Sequence, residues 1–229
     1  MARLAVAYFN SNGTWVCPAG VTNVWLIGQG GGAGGSGGRQ GTFDIAIAGP
    51  ATTTYMTQVG VTPNSSYSIT IGLGGTGGAS RTTSAQNGSA GGDTTFGSLH
   101  TFYGAVRDGT TNLNGTVLEL KNGYAGFGGY DDTDCYVNSG FMVSSPQNTG
   151  GSGNKGPNLG DYIGGQGTTP GFANGTLAQG GYGNNAGAGG PGFSATGYGH
   201  GGAAGGAGSS AGGQGAEGNQ GQLWVVWVE

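Results

Sequence analysis

Glycine recurs at every third position in several short runs of this chain, and that spacing limits what the chain can fold into. It is clearest in Gly31, Gly34 and Gly37 interleaved with Gly32, Gly35 and Gly38, and in Gly74 and Gly77 interleaved with Gly75 and Gly78. Two further registers lie near the C-terminus: Gly199, Gly202, Gly205 and Gly208, then Gly212, Gly215, Gly218 and Gly221. A period of three matches neither the 3.6 of an α-helix nor the 2 of a strand. It matches a polyproline-II-type helix, which has three residues per turn and no internal hydrogen bonds.

With 59 glycines in 229 residues, flexible low-complexity chain is the competing reading. The period argues against it. Ordering backbone costs about 1–2 kcal/mol per residue, and glycine loses most, so such runs order only if neighbours recover their amides and carbonyls. Polyglycine-II helices lying side by side can do so, because a glycine at each inward position lets backbones approach within N–H···O distance. A collagen triple helix is excluded by only seven prolines and by triplet runs that break after a few repeats.

Outside the glycine runs the chain alternates like strands. Thr42–Ala48, Tyr55–Val61 and Tyr67–Leu73 carry apolar residues at every second position, while Val21–Ile27 and Leu223–Val228 are nearly continuous apolar runs suited to central strands buried on both faces. Weaker candidates are Leu4–Phe9, Leu99–Val106, Thr116–Leu120 and Tyr136–Ser144. No stretch has helical periodicity. The expected fold is therefore all-β with essentially no α-helix: a jelly-roll-like β-sandwich with an inserted bundle of polyglycine-II helices. Residues 1–229 are read as a single unit, with 150–221 mainly the bundle and a strand at 222–228 closing the sandwich.

Charge excludes several functions. Six basic against ten acidic residues give a net charge of −4 and no basic stripe, which argues against nucleic-acid binding. No apolar run reaches membrane-spanning length, so no membrane insertion is expected, and the N-terminus reads as a mature start. Cys17 and Cys135 allow one disulfide, but without a secretory signal buried free thiols are the favoured reading. Catalytic chemistry is thin, because His100 and His200 have no partner at a defined spacing. Asp131, Asp132 and Asp134 are weakly similar to a calcium loop, but Tyr136 and Met142 stand where an EF-hand needs glycine and glutamate. No metal, cofactor or enzymatic activity is expected.

What remains is recognition. Aromatic and amide-rich inserts interrupt the triplets: Tyr124, Phe127 and Tyr130; Tyr162; Phe172 and Asn174; Tyr182, Asn184 and Asn185; Phe193; Tyr198. Connectors between rigid rods emerge at bundle ends, and Tyr with Asn, Ser and Gly supplies rigid contact area plus adaptable hydrogen bonds. His200, inside a triplet, is expected to point outward and to join this receptor-binding set. The alternative is that these aromatics cap the bundle or wedge between bundle and sandwich.

The order of these pieces resembles a known family. Trp15-Val16-Cys17-Pro18-Ala19-Gly20-Val21-Thr22, the strand to Ile27 and the block Gly30–Gly35 look like the opening of glycine-rich domains of bacteriophage tail-fibre and other virion proteins. Tyr67–Gly78 fits the second block, Thr94-Thr95-Phe96-Gly97 its turn, and Gly221–Trp227 the terminal strand. The chain is also similar to polyglycine-II adhesins of long tail fibres and to the glycine-rich domain of the anaplastic lymphoma kinase receptor. The resemblance implies a virion protein of the tail or particle surface, made in the host cytoplasm, binding a host cell-surface receptor or glycan and other virion proteins without a cofactor. It also allows a homotrimer, with the apolar final strand packed across the axis. Two other classes stay open: a structural or decoration protein, and an ice-binding protein, against which the bulky inserts argue.

Overall fold

A computed structural model describes residues 2–38, 49, 52, 54–80, 88–105, 181, 187–206 and 208–229. Alternation builds two antiparallel four-stranded sheets from them. In one, β1 (Leu4–Phe9), β8 (Gln222–Val228), β3 (Asn23–Gln29) and β4 (Tyr55–Gly60) lie side by side in that order. The other runs β2 (Gly13–Val16), β5 (Ser66–Thr70), β6 (Thr94–Phe96) and β7 (His100–Phe102). No helix occurs among the described residues, and the fold is all-β.

The inward positions of the two sheets meet in one core. Val24, Leu26, Leu223, Val225 and Trp227 come from the first sheet, and Trp15, Ile69, Phe96 and Phe102 from the second. Trp15 meets Trp227 edge-on with ring centres 5.4 Å apart, and Tyr55 meets Phe102 at 4.8 Å. Each such side chain contributes about 1.5–3 kcal/mol on burial. Gly28 belongs to this packing, since a Cβ there would lie 3.0 Å from the Phe102 ring. Cys17 is a buried free thiol donating to the Val21 carbonyl (3.3 Å).

The last strand, β8, lies between β1 and β3. Its burial differs from the expectation. β3 and β8 are central in their sheet but buried on one face only: Trp25, Ile27, Trp224 and Val226 on the other face are half-buried. Of the remaining expected strands, Thr42–Ala48, Thr116–Leu120 and Tyr136–Ser144 lie outside the described residues, as does most of the 150–221 insertion.

Three strands run directly into glycine segments: β3 into 30–38, β5 into 72–80, and 213–221 into β8. The strand register carries over. Gln29 faces Gln222 in the sheet; beyond it Gly32 donates to the Asn219 carbonyl, Gly35 to Ala216 and Gly38 to Gly213, each at 2.7–2.9 Å. Bonding has changed from a period of two to a period of three. Gly75 and Gly78 donate to the carbonyls of Gly32 and Gly35, while Gly218 and Gly215 donate to those of Gly75 and Gly78. These three segments are thus mutual neighbours. Segment 199–206 adds Gly202 to Ala33 and Gly205 to Ser36, and segment 88–92 accepts from Gly31 and Gly34.

Such lateral bonding is what a chain of three residues per turn requires, because it has no bonds of its own. The spacing leaves no room for side chains. A Cβ on Gly32, Gly35 or Gly38 would fall inside the carbonyls of His200, Ala203 or Gly206.

Candidate recognition surface

Segments 187–192 and 199–206 both belong to the laterally bonded array, since Gly206 donates to Gly190 and Gly192 to Gln214. The connector between them, 193–198, is held at its base by Asn219, whose side-chain amide donates to the carbonyls of Ala195 (2.8 Å) and Gly197 (2.7 Å). It returns to the array through left-handed backbone at Gly197 (φ 108°) and Gly199 (φ 66°), a region that favours glycine. Rigid backbone on both sides and a side-chain clamp beneath leave Phe193 standing 51% exposed at the start of the connector.

Tyr198 ends the connector differently. Its ring meets Tyr8 of β1 edge-on at 6.4 Å, and its hydroxyl accepts from Asn10 Nδ2 at 3.4 Å. Tyr8 in turn lies against Trp224 at 5.0 Å and donates to Gln222 Oε1 at 3.3 Å. The Tyr8 hydroxyl is pushed above the ordinary phenol range, first by burial and then by the neighbouring Tyr198 hydroxyl. The Tyr8 hydroxyl, and then the hydrogen bond from Asn10, pull Tyr198 below it. Tyr198 is thus a wedge between the glycine array and the sandwich, while Phe193 is the exposed member of the pair.

The expectation for His200 needs correction. It does not point outward: it is fully buried, and its carbonyl accepts from the Asn219 N–H. A lone polyglycine rod turns its non-glycine residues to solvent, but 199–206 is an interior rod. It is bonded to 30–38, 213–221, Gly49, Gly181 and Gly190, so its other positions are enclosed too. Neither ring nitrogen of His200 has a hydrogen-bond partner among the described residues, and burial pushes its pKa below the ordinary value. Tyr124, Phe127, Tyr130, Tyr162, Phe172, Asn174, Tyr182, Asn184 and Asn185 lie outside the described residues.

Other titratable groups have structural partners. His100 shares a 2.9 Å hydrogen bond with the Tyr55 hydroxyl, packs edge-on to Phe102, and is lowered by burial. Tyr55 is pushed up to about 12 by burial and then by Tyr103. No cluster of three or more His, Cys, Asp or Glu side chains able to hold a metal occurs among the described residues.

Sequence reasoning missed one feature of the surface. The outer face of the β1–β8–β3–β4 sheet is apolar: Leu4, Val6, Tyr8, Met56 and Val228 are 44–65% exposed there. The signal was present in β1, where Leu4, Val6 and Tyr8 alternate with Ala5, Ala7 and Phe9, leaving neither face of the strand polar.

A comparison with curated proteins finds no match. Residues 9–228, which span the sandwich and the glycine array alike, match the family model of the glycine-rich domain, and the chain belongs to that family.

Proposed function

We propose that this protein is a non-enzymatic virion surface protein, a phage tail-associated adhesin that presents inter-glycine connectors from a polyglycine-II scaffold to a host cell-surface receptor or glycan. The observation that carries the reading is the 193–198 connector, clamped by Asn219 and presenting Phe193 to solvent at the edge of a laterally bonded array. A connector ordered before it meets its ligand loses little entropy on binding, which favours recognition by a small contact. The resemblance to virion glycine-rich domains supplies the setting: particle surface, assembly in the host cytoplasm and no cofactor.

The test replaces segments 124–130 and 172–185 with Gly/Ser sequence and, separately, Phe193 with serine. Attachment of the purified chain to host cells should be abolished by the segment replacements and weakened by Phe193→Ser, with the melting temperature preserved. Unchanged attachment in all of these variants overturns the reading. A second reading, a structural or decoration protein, is favoured by the apolar outer sheet face, and cross-linking of that face to other particle subunits would establish it.

A further inference from the structure

The outer face of the β1–β8–β3–β4 sheet has a pattern that its register makes legible. On the two central strands Trp25 stands beside Val226, and Ile27 beside Trp224. The two tryptophans therefore occupy one diagonal of a square, and the two smaller residues the other. All four are half-buried by their neighbours and uncapped enough to remain at the surface. At the flanks, Val6 pairs with Val226 and Met56 with Ile27; they are 55% and 64% exposed.

We infer that this face docks on the same face of a second copy of the chain, about a two-fold axis running parallel to the strands between β3 and β8. Turning the square over about that axis exchanges its diagonals. Trp25 of one copy comes to lie over the partner's Val226, and Trp224 over the partner's Ile27, so large side chains meet small ones throughout the centre. Turned over an axis perpendicular to the face, the square would only map onto itself, each tryptophan onto the other. Self-complementarity of this kind is what a closed two-fold interface needs, since each contact is made twice. Two sheets can stack this way at about 10 Å with strands within roughly 30° of each other.

Charge agrees with the assignment. The chain carries a net charge of −4, yet no outward residue of β1, β3, β4 or β8 on this face is ionised, so two copies meet without opposing like charges there. Area sets the strength. Four strands about 4.8 Å apart and some six residues long present a footprint on the order of 400 Å². That is within the roughly 300–600 Å² of the largest patch on a monomer and short of the roughly 800 Å² per partner of a standard interface. A weak, concentration-dependent dimer follows, not an obligate one. The inference stands apart from the adhesive reading, because receptor binding needs no dimer; the 193–198 connector reaches this face at its β1 corner, where Tyr198 meets Tyr8.

Sedimentation of the whole chain tests it. The mass should rise with concentration from 22.2 kDa towards twice that value. In the two-fold arrangement Val6 faces the partner's Gln58, and Met56 faces the partner's Tyr8. Val6→Lys alone should weaken association at least about tenfold, and so should Met56→Lys at the opposite edge, which keeps the test independent of either strand's tolerance. Val6→Lys combined with Gln58→Glu should restore it, because within one copy those positions lie on strands three spacings apart and meet only across the axis. A chain that stays monomeric, one that forms trimers, or a double variant no tighter than Val6→Lys overturns the inference.

Discussion

The sandwich and the glycine array are both buried, but they are filled by opposite means. Between the sheets, space is taken up by side chains: Phe96, Phe102, Leu26, Ile69 and Leu223 are fully or almost fully enclosed. Along 30–38 the chain is just as buried, yet no side chain there is larger than serine, and the neighbours are backbones. One region is therefore held by apolar area and is weakened when a side chain is cut back; the other is held by lateral hydrogen bonds and has no spare volume to change. The two are coupled at the strand ends, where the register of β3 with β8 passes unslipped into Gly32–Asn219 and Gly35–Ala216. The sandwich thus aligns the rods, a task that flexible glycine segments could not perform for themselves.

The largest effect that sharpens this contrast is one added methyl group. Gly32→Ala places a Cβ inside the His200 carbonyl, against a rod fixed on several sides. We expect it to cost about 4 kcal/mol or more, or to prevent folding, because backbone cannot step aside as a rotamer can. Gly60→Ala in β4 is the control. There the new Cβ meets only the Thr22 carbonyl at 3.9 Å, and the stability change should stay within about 0.5 kcal/mol. Chemical denaturation of both variants makes the comparison, and similar losses would mean that the array is no tighter than the sandwich edge.

Next in size is the reverse operation in the sandwich. Phe96 is fully buried and contacts the rings of Trp15 and Tyr67, so Phe96→Ala should cost about 3–5 kcal/mol through lost transfer energy and the cavity left behind. The two regions then differ in what they cannot tolerate: loss of a ring in one, gain of a methyl in the other. A Phe96→Ala loss near 1 kcal/mol would show that the array, and not the side-chain core, dominates the stability of the whole.

How far the sequence could be read follows the same division. β4 and β5 were visible because each repeats its apolar positions often enough to show a period, and β3 and β8 because each is a nearly continuous apolar run. β2 has a single enclosed residue, Trp15, in four. β6 is only Thr94–Phe96 and reads as a turn, since its inward Thr94 is polar; the structure uses that hydroxyl to accept the Gly72 N–H at 3.0 Å where β5 passes into its rod. In the glycine segments a period says which residues face a neighbour, not how many neighbours there are. His200 is the consequence: its position in the triplet is the same for a surface rod and an interior one, and only the assembled array distinguishes them. Phe193 and Tyr198, five residues apart in one insert, show the same limit, as one is exposed and the other wedged against Tyr8.

The smallest expected effect separates the regions by pH. Each contains one histidine, His100 in the sandwich and His200 in the array, and burial lowers both. A lowered histidine pKa means that the folded state binds its proton more weakly than the unfolded chain does, whose imidazole titrates near 6.5. Stability from the neutral form is complete above that pH and is lost as pH falls through it towards the folded value. His100 keeps a hydrogen bond to Tyr55, whereas both nitrogens of His200 lack partners among the described residues. His200→Leu, close in volume and with nothing to leave unpaired, should therefore match or exceed the parent's stability at pH 7.5 and flatten its decline between pH 7 and pH 5. His100→Leu, by contrast, removes a partner from Tyr55 and should cost stability at neutral pH. Melting curves across this pH range decide between them: an acid decline unchanged by His200→Leu and removed by His100→Leu would place the pH sensitivity in the sandwich and leave the array indifferent to acid.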